Sequence, residues 1–394
     1  MNNFDYENAI SKCTTLQDIT GKNGLIQKIV KDAIEKVLKK EFDEYINQTN
    51  TYRNGYSKKK VKTEYGEIDV NVPRDRESNF LPEILEKRQT TSGGIKEQIT
   101  SMYAKGMSTR DISDHIEALY GTNISANTIS NITDDALIKG KDWFSRTLDK
   151  VYPIVFMDAV HFKVKEEHKV VSKTAYVALA VNMEGKKEIL GVWIGENEGA
   201  KFWLKVCTEL KNRGINDILI TCIDGLKGFP EAIISVFPNT KIQLCIIHQI
   251  RNSLKYINYA EQKDFMKDLR QVYKATTADD GLNKLNSMYD KWGKKYSMVL
   301  DSWLSKWDKL STFFEYEDRI KKIIYTTNIL EGLNRQLRKT TKSKTIFPND
   351  DALLKSIYLS LNDISKKWTS PYGNWGQTLA QFKIAFDDRI ELSI

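Results

Sequence analysis

The chain has 394 residues, 41% hydrophobic and 28% charged, which suits a soluble globular protein with a substantial core in two or three domains. Its longest apolar runs fall well short of the roughly 20 residues a bilayer span needs, and the start MNNFDYENAI lacks a basic and apolar leader pattern, so a cytoplasmic protein without membrane contact is expected. Four scattered cysteines with no CxxC pair argue against a disulfide framework or a four-cysteine zinc site, and the whole net charge of +8 arises in residues 236–394.

Residues 25–49 repeat apolar side chains at helical spacing and predict one long amphipathic helix, open to use either as a dimerisation element or as part of a core. The stretch RNGYSKKKVK (53–62) carries no acid. VKTEYGEIDVNV (61–72) then alternates polar and apolar residues around Gly66, as a hairpin closed by Pro73 would. Three helical pieces follow between 95 and 140. The last two begin with serine, a favoured N-cap, while Gly106 and Gly121 stand where helices would end. A tight polar turn between short helices, with Asn127, Ser130 and Asn131 outward on the second, has the pattern of a helix-turn-helix that reads DNA.

The period then changes. YPIVFMDAVHF (152–162), KTAYVALAVN (173–182) and KEILGVWIG (187–195) read as strands, the last two joined by a hairpin turn at MEGK. A helix over 199–214 precedes DILITCID (217–224), a strand apolar enough to be buried on both faces. Pro230 and Glu231 open another helix, and TKIQLCIIH (240–248) reads as a fifth strand. Three strands, a helix, a strand, a helix and a strand is the order of an RNase H-like α/β domain.

In that order Asp158 on the first strand and Asp224 at the end of the fourth face each other. Two carboxylates so close repel unless cations lie between them. Two divalent ions about 3.5 to 4 Å apart would use such a pair for phosphodiester chemistry. A third acid is available in YTTNILEGLNRQLRK (325–339), where Glu331, Asn334, Arg335 and Arg338 share one helix face and Ile329, Leu330, Leu333 and Leu337 the other. Periodicity alone favours an ordinary surface helix with a Glu331 to Arg335 pair. The basic stretch RQLRKTTKSK (335–344), taken with 53–62, makes a polyanion partner plausible.

MDAVHFKV, CIDGLKGFPEAI, QLCIIHQIRNSLKY and YTTNILEGLNRQLRK, with RNGYSKKKVKTEYGEIDVNVPRDR and GMSTRDISDHIEALYG before them, resemble in order the signature blocks of the Mutator-type DDE transposases of bacterial insertion sequences. The likeness covers roughly residues 50–370. It implies an RNase H-like catalytic domain interrupted by an all-helical insertion and preceded by a mainly helical DNA-binding region. The corresponding segments are 1–90 (helix and basic hairpin), 91–148 (helix-turn-helix), 149–249 (first part of the core), 250–323 (insertion) and 324–394 (second part, with the Glu-bearing helix and tail). Asp158, Asp224 and Glu331 would be the catalytic and metal-binding triad, holding two Mg²⁺ or Mn²⁺. Double-stranded DNA would be the partner, met by Asn127, Ser130 and Asn131 at bases and by Lys227, Arg335, Arg338 and Lys339 at phosphates, with Gly225 and Gly228 admitting the backbone.

The Cys245 and His248 pair is expected to support the site rather than ligate metal, and His161 to be a core or edge histidine. Of the family's residues before the glutamate, Arg is replaced by Thr327 and Tyr325 stands one place off. The implied activity is a nucleoid-associated transposase, acting as a homodimer or higher homo-oligomer, that nicks transposon ends by hydrolysis and transfers the freed 3′-hydroxyl. A structure-specific nuclease and an inactive DNA-binding regulator are the alternatives.

Overall fold

The computed structural model describes residues 5–49, 51–86, 90–196, 199–325 and 328–390. The chain divides into two compact units, Met1–Ala136 and Leu137–Ile394.

In the first, helices α1 (Tyr6–Ser11), α2 (Leu16–Thr20) and α3 (Leu25–Thr49) lead into a two-stranded antiparallel hairpin of β1 (Arg53–Thr63) and β2 (Gly66–Asp75). Leu38 of α3 is buried in one cluster with Val61, Ile68, Val70 and Leu85, so the long helix is a packed core element. Glu35 adds a polar tie, accepting hydrogen bonds from the Asn71 backbone and side chain at 2.8 Å each. The basic run 53–62 forms most of β1. Pro73 does not close the hairpin but lies within β2 opposite Tyr56, a position open to proline because each strand of a two-stranded sheet has a free edge.

Three helices follow, α4 (Gly93–Ala104), α5 (Thr109–Tyr120) and α6 (Ala126–Ser145). Ser108 and Asp111 form a reciprocal capping box on α5, which ends at Gly121 with φ +60°. Ser125 accepts from the Thr128 backbone N–H at 3.1 Å and so caps α6. Asn127 and Asn131 are exposed and Ser130 half-buried. α6 runs on past Gly140, where a Cβ would press on the Tyr358 ring at 2.8 Å, so that glycine permits close packing rather than ending the helix.

The second unit is built on a mixed sheet of β3 (Val151–Glu166), β4 (Lys169–Val181), β5 (Lys187–Gly195), β6 (Asp217–Ile223) and β7 (Lys241–Leu244), in the spatial order β5-β4-β3-β6-β7. The first three strands are mutually antiparallel, while β6 is parallel to both β3 and β7. Helices α7 (Ala200–Asn212) and α8 (Phe229–Val236) connect them, and Trp203 of α7 stacks on Phe229 at 4.1 Å and meets Tyr176 of β4 edge-on at 4.9 Å.

The apolar run at 240–248 is not one strand. β7 stops at Leu244, and α9 (Ile246–Leu254) begins with Cys245 as its N-cap, the thiol accepting from the His248 backbone N–H at 3.5 Å. A short apolar run does not by itself distinguish strand from helix. Thereafter the described elements are helical: α10 (Tyr259–Tyr273), α11 (Ala278–Leu304), α12 (Trp307–Leu310), α13 (Asp318–Ile324), α14 (Asn328–Thr341), α15 (Asp350–Ser365) and α16 (Trp375–Phe386). α11 bends at Tyr296, whose φ and ψ are not helical. Phe265, Trp292 and Trp303 are buried, so these aromatics form core. Among the described residues no helix is long and apolar enough to cross a membrane.

Gly185, in the β4–β5 turn, has φ +80°, and a Cβ there would overlap the Trp375 ring, whose Nε1 donates to the Met183 carbonyl at 2.8 Å. Gly185→Ala should lower unfolding free energy by roughly 2 to 4 kcal/mol in urea titrations, combining left-handed strain with overpacking. Gly373→Ala, which opens on free space, should change it by less than about 1 kcal/mol. Equal effects would contradict this account of the turn.

Candidate active site

Parallel pairing of β3 with β6 runs from Val151↔Asp217 to Met157↔Ile223. The next residue on each strand is an acid, so Asp158 and Asp224 emerge side by side where the pairing ends. α14 supplies the third. Leu330, Leu333 and Leu337 are buried, which turns Glu331, Asn334, Arg335 and Arg338 toward a cavity of about 550 Å³ that Asp158 and Asp224 also line. His248 and Arg251, one turn apart on α9, complete this wall.

Each carboxylate meets a different protein group. Asp158 Oδ2 accepts from Asn334 Nδ2 at 2.5 Å, and its Oδ1 from the Ala159 backbone at 2.8 Å. Asp224 Oδ1 lies 2.6 Å from His248 Nδ1. Glu331 Oε1 accepts from Arg251 Nη1 at 2.6 Å. The acid of α14 is thus paired with a residue 80 positions earlier, not with Arg335 on its own helix.

Burial first, then the neighbouring charge of Asp224, pushes the Asp158 carboxyl up to about 6. The contact with Asp224 first, and that with Cys245 next, holds the His248 imidazole up at about 10. His248 is therefore a cation at neutral pH, facing Asp224.

The donor set suits hard divalent cations. Three carboxylates converge in one cavity, and Asn334 Oδ1 is buried there without a hydrogen-bond partner, a fourth oxygen. Asp224, Cys245 and His248 also bring donor atoms within 4.8 Å of one another. Cys245 is buried as a helix cap, however, and three ligands fall short of a structural zinc set.

The remaining sequence candidates are distributed differently. Arg335 and Arg338 line the cavity; Lys339 lines an adjoining groove; Lys227 is exposed and lines neither. Gly228 takes φ +80° at the start of α8, where a Cβ would approach the Ala200 side chain at 2.9 Å. Tyr325 packs edge-on against Phe313 at 5.4 Å and faces a different pocket, with Arg270; Thr327 lies outside the described residues.

His161 is not core but stands at an edge: β3 pairs with β6 only as far as Met157, and opposite Thr174 it pairs with β4 alone. It is exposed and lines the acid cavity, with Nδ1 3.1 Å from Thr174 Oγ1. Arg251 and Asn334 were assigned no role from sequence. Their signal was present in the i, i+3 spacings His248/Arg251 and Glu331/Asn334, which give each pair one helix face.

The chain belongs to the Mutator family of transposases: the model described as "Transposase, Mutator family" matches residues 3–371. It is 41% identical over 379 residues to the transposase for insertion sequence element ISRM3 of Rhizobium meliloti (strain 1021), covering 94% of this chain and 95% of that one. It is 37% identical to a probable transposase for an insertion sequence element of Corynebacterium diphtheriae, with 81% and 98% covered. Identity is 30% to the transposase for IS256 in transposon Tn4001 of Staphylococcus aureus, over 85% and 86% of the chains.

The raised Asp158 carboxyl makes a signed prediction for metal-free protein. Its folded value, about 6, exceeds its unfolded value near 4, so its favourable contribution is complete below pH 4 and is lost as pH rises through 6. Asp158→Asn should therefore gain stability relative to the parent between pH 4 and 7, by roughly 2 to 3 kcal/mol, in urea titrations with EDTA. A difference that does not change with pH would refute it.

Proposed function

We propose that this transposase binds the ends of its insertion sequence, cleaves them by metal-dependent hydrolysis and joins the freed 3′-hydroxyl to target DNA. The strand order β5-β4-β3-β6-β7, antiparallel on one side of β3 and parallel on the other, supports reading the sheet as RNase H-like, with α10 to α13 as a helical insertion. The observation that carries the proposal is the convergence of Asp158, Asp224 and Glu331, from a strand, a strand end and a helix, on one cavity bordered by Arg335 and Arg338.

Asp158, Asp224 and Glu331 would hold two Mg²⁺ or Mn²⁺ ions. When bound, such ions supply Lewis acidity at the attacking and leaving oxygens of a phosphodiester. The chain's own residues prepare the rest. Asn334 fixes the Asp158 carboxylate from one side. His248 and Arg251 neutralise Asp224 and Glu331 when no other cation does, and they stay beside the cavity to meet phosphate oxygens once released. Arg335 and Arg338 draw the DNA backbone toward the acids by charge, without reading bases. No side chain need become covalently attached to DNA. Reading of the terminal sequence falls to α6, through Asn127, Ser130 and Asn131.

Asp158→Ala, Asp224→Ala and Glu331→Ala should each reduce cleavage of an insertion-end oligonucleotide to below a few per cent while leaving binding nearly unchanged. Cleavage by the parent should vanish with EDTA and return with Mg²⁺ or Mn²⁺ but not with zinc alone. An alanine variant that still cleaved would remove that acid from the triad. Cleavage without any joined product in the presence of target DNA would favour a nuclease instead.

Alanine at Asn127 or Asn131 should cost roughly 1 to 3 kcal/mol of affinity for the cognate end and little for scrambled duplex, whereas alanine at Arg335 or Arg338 should weaken both about equally. Parallel titrations of the full chain on both duplexes decide the matter. Equal losses on the two DNAs for the asparagine variants would move sequence reading to another part of the chain.

A further inference from the structure

A second groove, of about 660 Å³, adjoins the acid cavity and shares His161, Arg335 and Arg338 with it. Its walls are the outer half of β3, the C-terminal half of α14 and the turn that follows. That turn is fastened to the strand: the Phe347 backbone N–H donates to the Lys163 carbonyl, and the Lys165 N–H to the Phe347 carbonyl, both at 2.8 Å. Phe162 and Phe347 meet edge to face at 6.1 Å and line the groove, so its shape is set by backbone pairing and an aromatic contact.

Six cations line it, Lys163, Arg335, Arg338, Lys339, Lys342 and Lys344, and no acid does among the described residues. Lys163, Arg335, Arg338, Lys339 and Lys342 are exposed and have no ion-pair partner among the described residues. Some exposed lysines of this unit are neutralised by acids, as Lys291 is by Asp268, Lys295 by Glu261 and Lys241 by Glu315; none of the five groove cations is, among the described residues. So many unneutralised charges around one groove repel one another, and a polyanion relieves that repulsion.

The groove combines a cationic rim with an apolar floor, under which Phe162 and Phe347 are packed at 8% and 2% exposure. A duplex presents phosphate and sugar outward and would leave the apolar part unused. A single strand offers phosphates to the rim and base or sugar faces to the interior, which is how sequence-tolerant single-strand grooves work. The continuity through His161, Arg335 and Arg338 makes the occupant the same strand that enters the acid cavity.

We propose that this groove holds a short unpaired stretch of the reacting DNA strand, so that the insertion end is locally opened beside the bond to be cut. The proposal rests on the cleavage function above and adds to it a subsite carried by Lys163 and Lys342, which lie outside the acid cavity.

The test uses the full chain in EDTA, with fluorescence anisotropy on two duplexes carrying the inverted repeat next to its gene: one fully paired, one with three mismatched pairs at the reacting bond. The parent should bind the mismatched duplex about 5- to 10-fold more tightly. Lys163→Ala and Lys342→Ala should each reduce that preference, and together bring it near one. Each should also flatten the salt dependence on the mismatched duplex by roughly 0.7 per lost contact. Lys366→Ala, exposed and lining neither groove nor cavity, should retain the full preference.

Absence of a preference in the parent, or its survival in the double variant, would overturn the proposal. Cleavage of the same duplexes with Mg²⁺ is read separately. Cleavage without a groove-dependent preference rejects the groove alone; a preference without cleavage rejects the catalytic reading alone.

Discussion

The parallel pairing of β3 with β6 is the constraint on which the site depends. Its register ends at Met157↔Ile223, so two acids 66 positions apart leave adjacent strands together. Two carboxylates in a half-buried place are unfavourable on their own: burial and mutual repulsion already push the Asp158 carboxyl up to about 6. The surrounding elements can be understood as answers to that unfavourable charge.

Those answers differ in kind. Asp158 receives a neutral amide from Asn334, Asp224 an imidazolium from His248, and Glu331 a guanidinium from Arg251. A neutral donor stabilises a carboxylate only weakly, while a cation compensates its charge, so Asp158 is the acid with the most to gain from an added cation. The other two are neutralised by side chains on α9, a helix that starts at the end of the strand next to β6. Because Cys245 both caps α9 and donates its backbone N–H to Ile223, the helix and the strand bearing Asp224 are fixed to one another at 2.9 Å.

The same economy of placement appears in α14. Its apolar stripe of Leu330, Leu333 and Leu337 is buried, and this orients a polar face that changes character along its length. Glu331 and Asn334 occupy the acid cavity, Arg335 and Arg338 the boundary, and Lys339 the basic groove beyond. One helix thus passes from the proposed metal ligands to the proposed strand subsite in three turns. The turn after it, held to β3 through Phe347, keeps the lysines of residues 342–344 on that path.

Much of this was legible in the sequence because it is written in local periodicity. The helix at 25–49, the caps at Ser108 and Gly121, the hairpin at 182–186, the buried strand before Asp224 and the two-faced helix at 328–341 all follow from spacing and cap residues. The family could be recognised from ordered blocks for the same reason. Long-range pairing decided what periodicity could not. Glu331 on a surface helix could have paired with Arg335, and only the packing of α9 against that region gives it Arg251 instead. The apolar run at 240–248 suited strand and helix equally until Cys245 became a cap. His161 read equally as a core or an edge histidine, and the register decided for the edge: β3 extends beyond its pairing with β6, where alternate side chains are exposed. The basic groove was invisible for a similar reason: Lys163 and Lys342 are 179 positions apart, and the backbone pairing of Phe347 with β3 is what makes them neighbours.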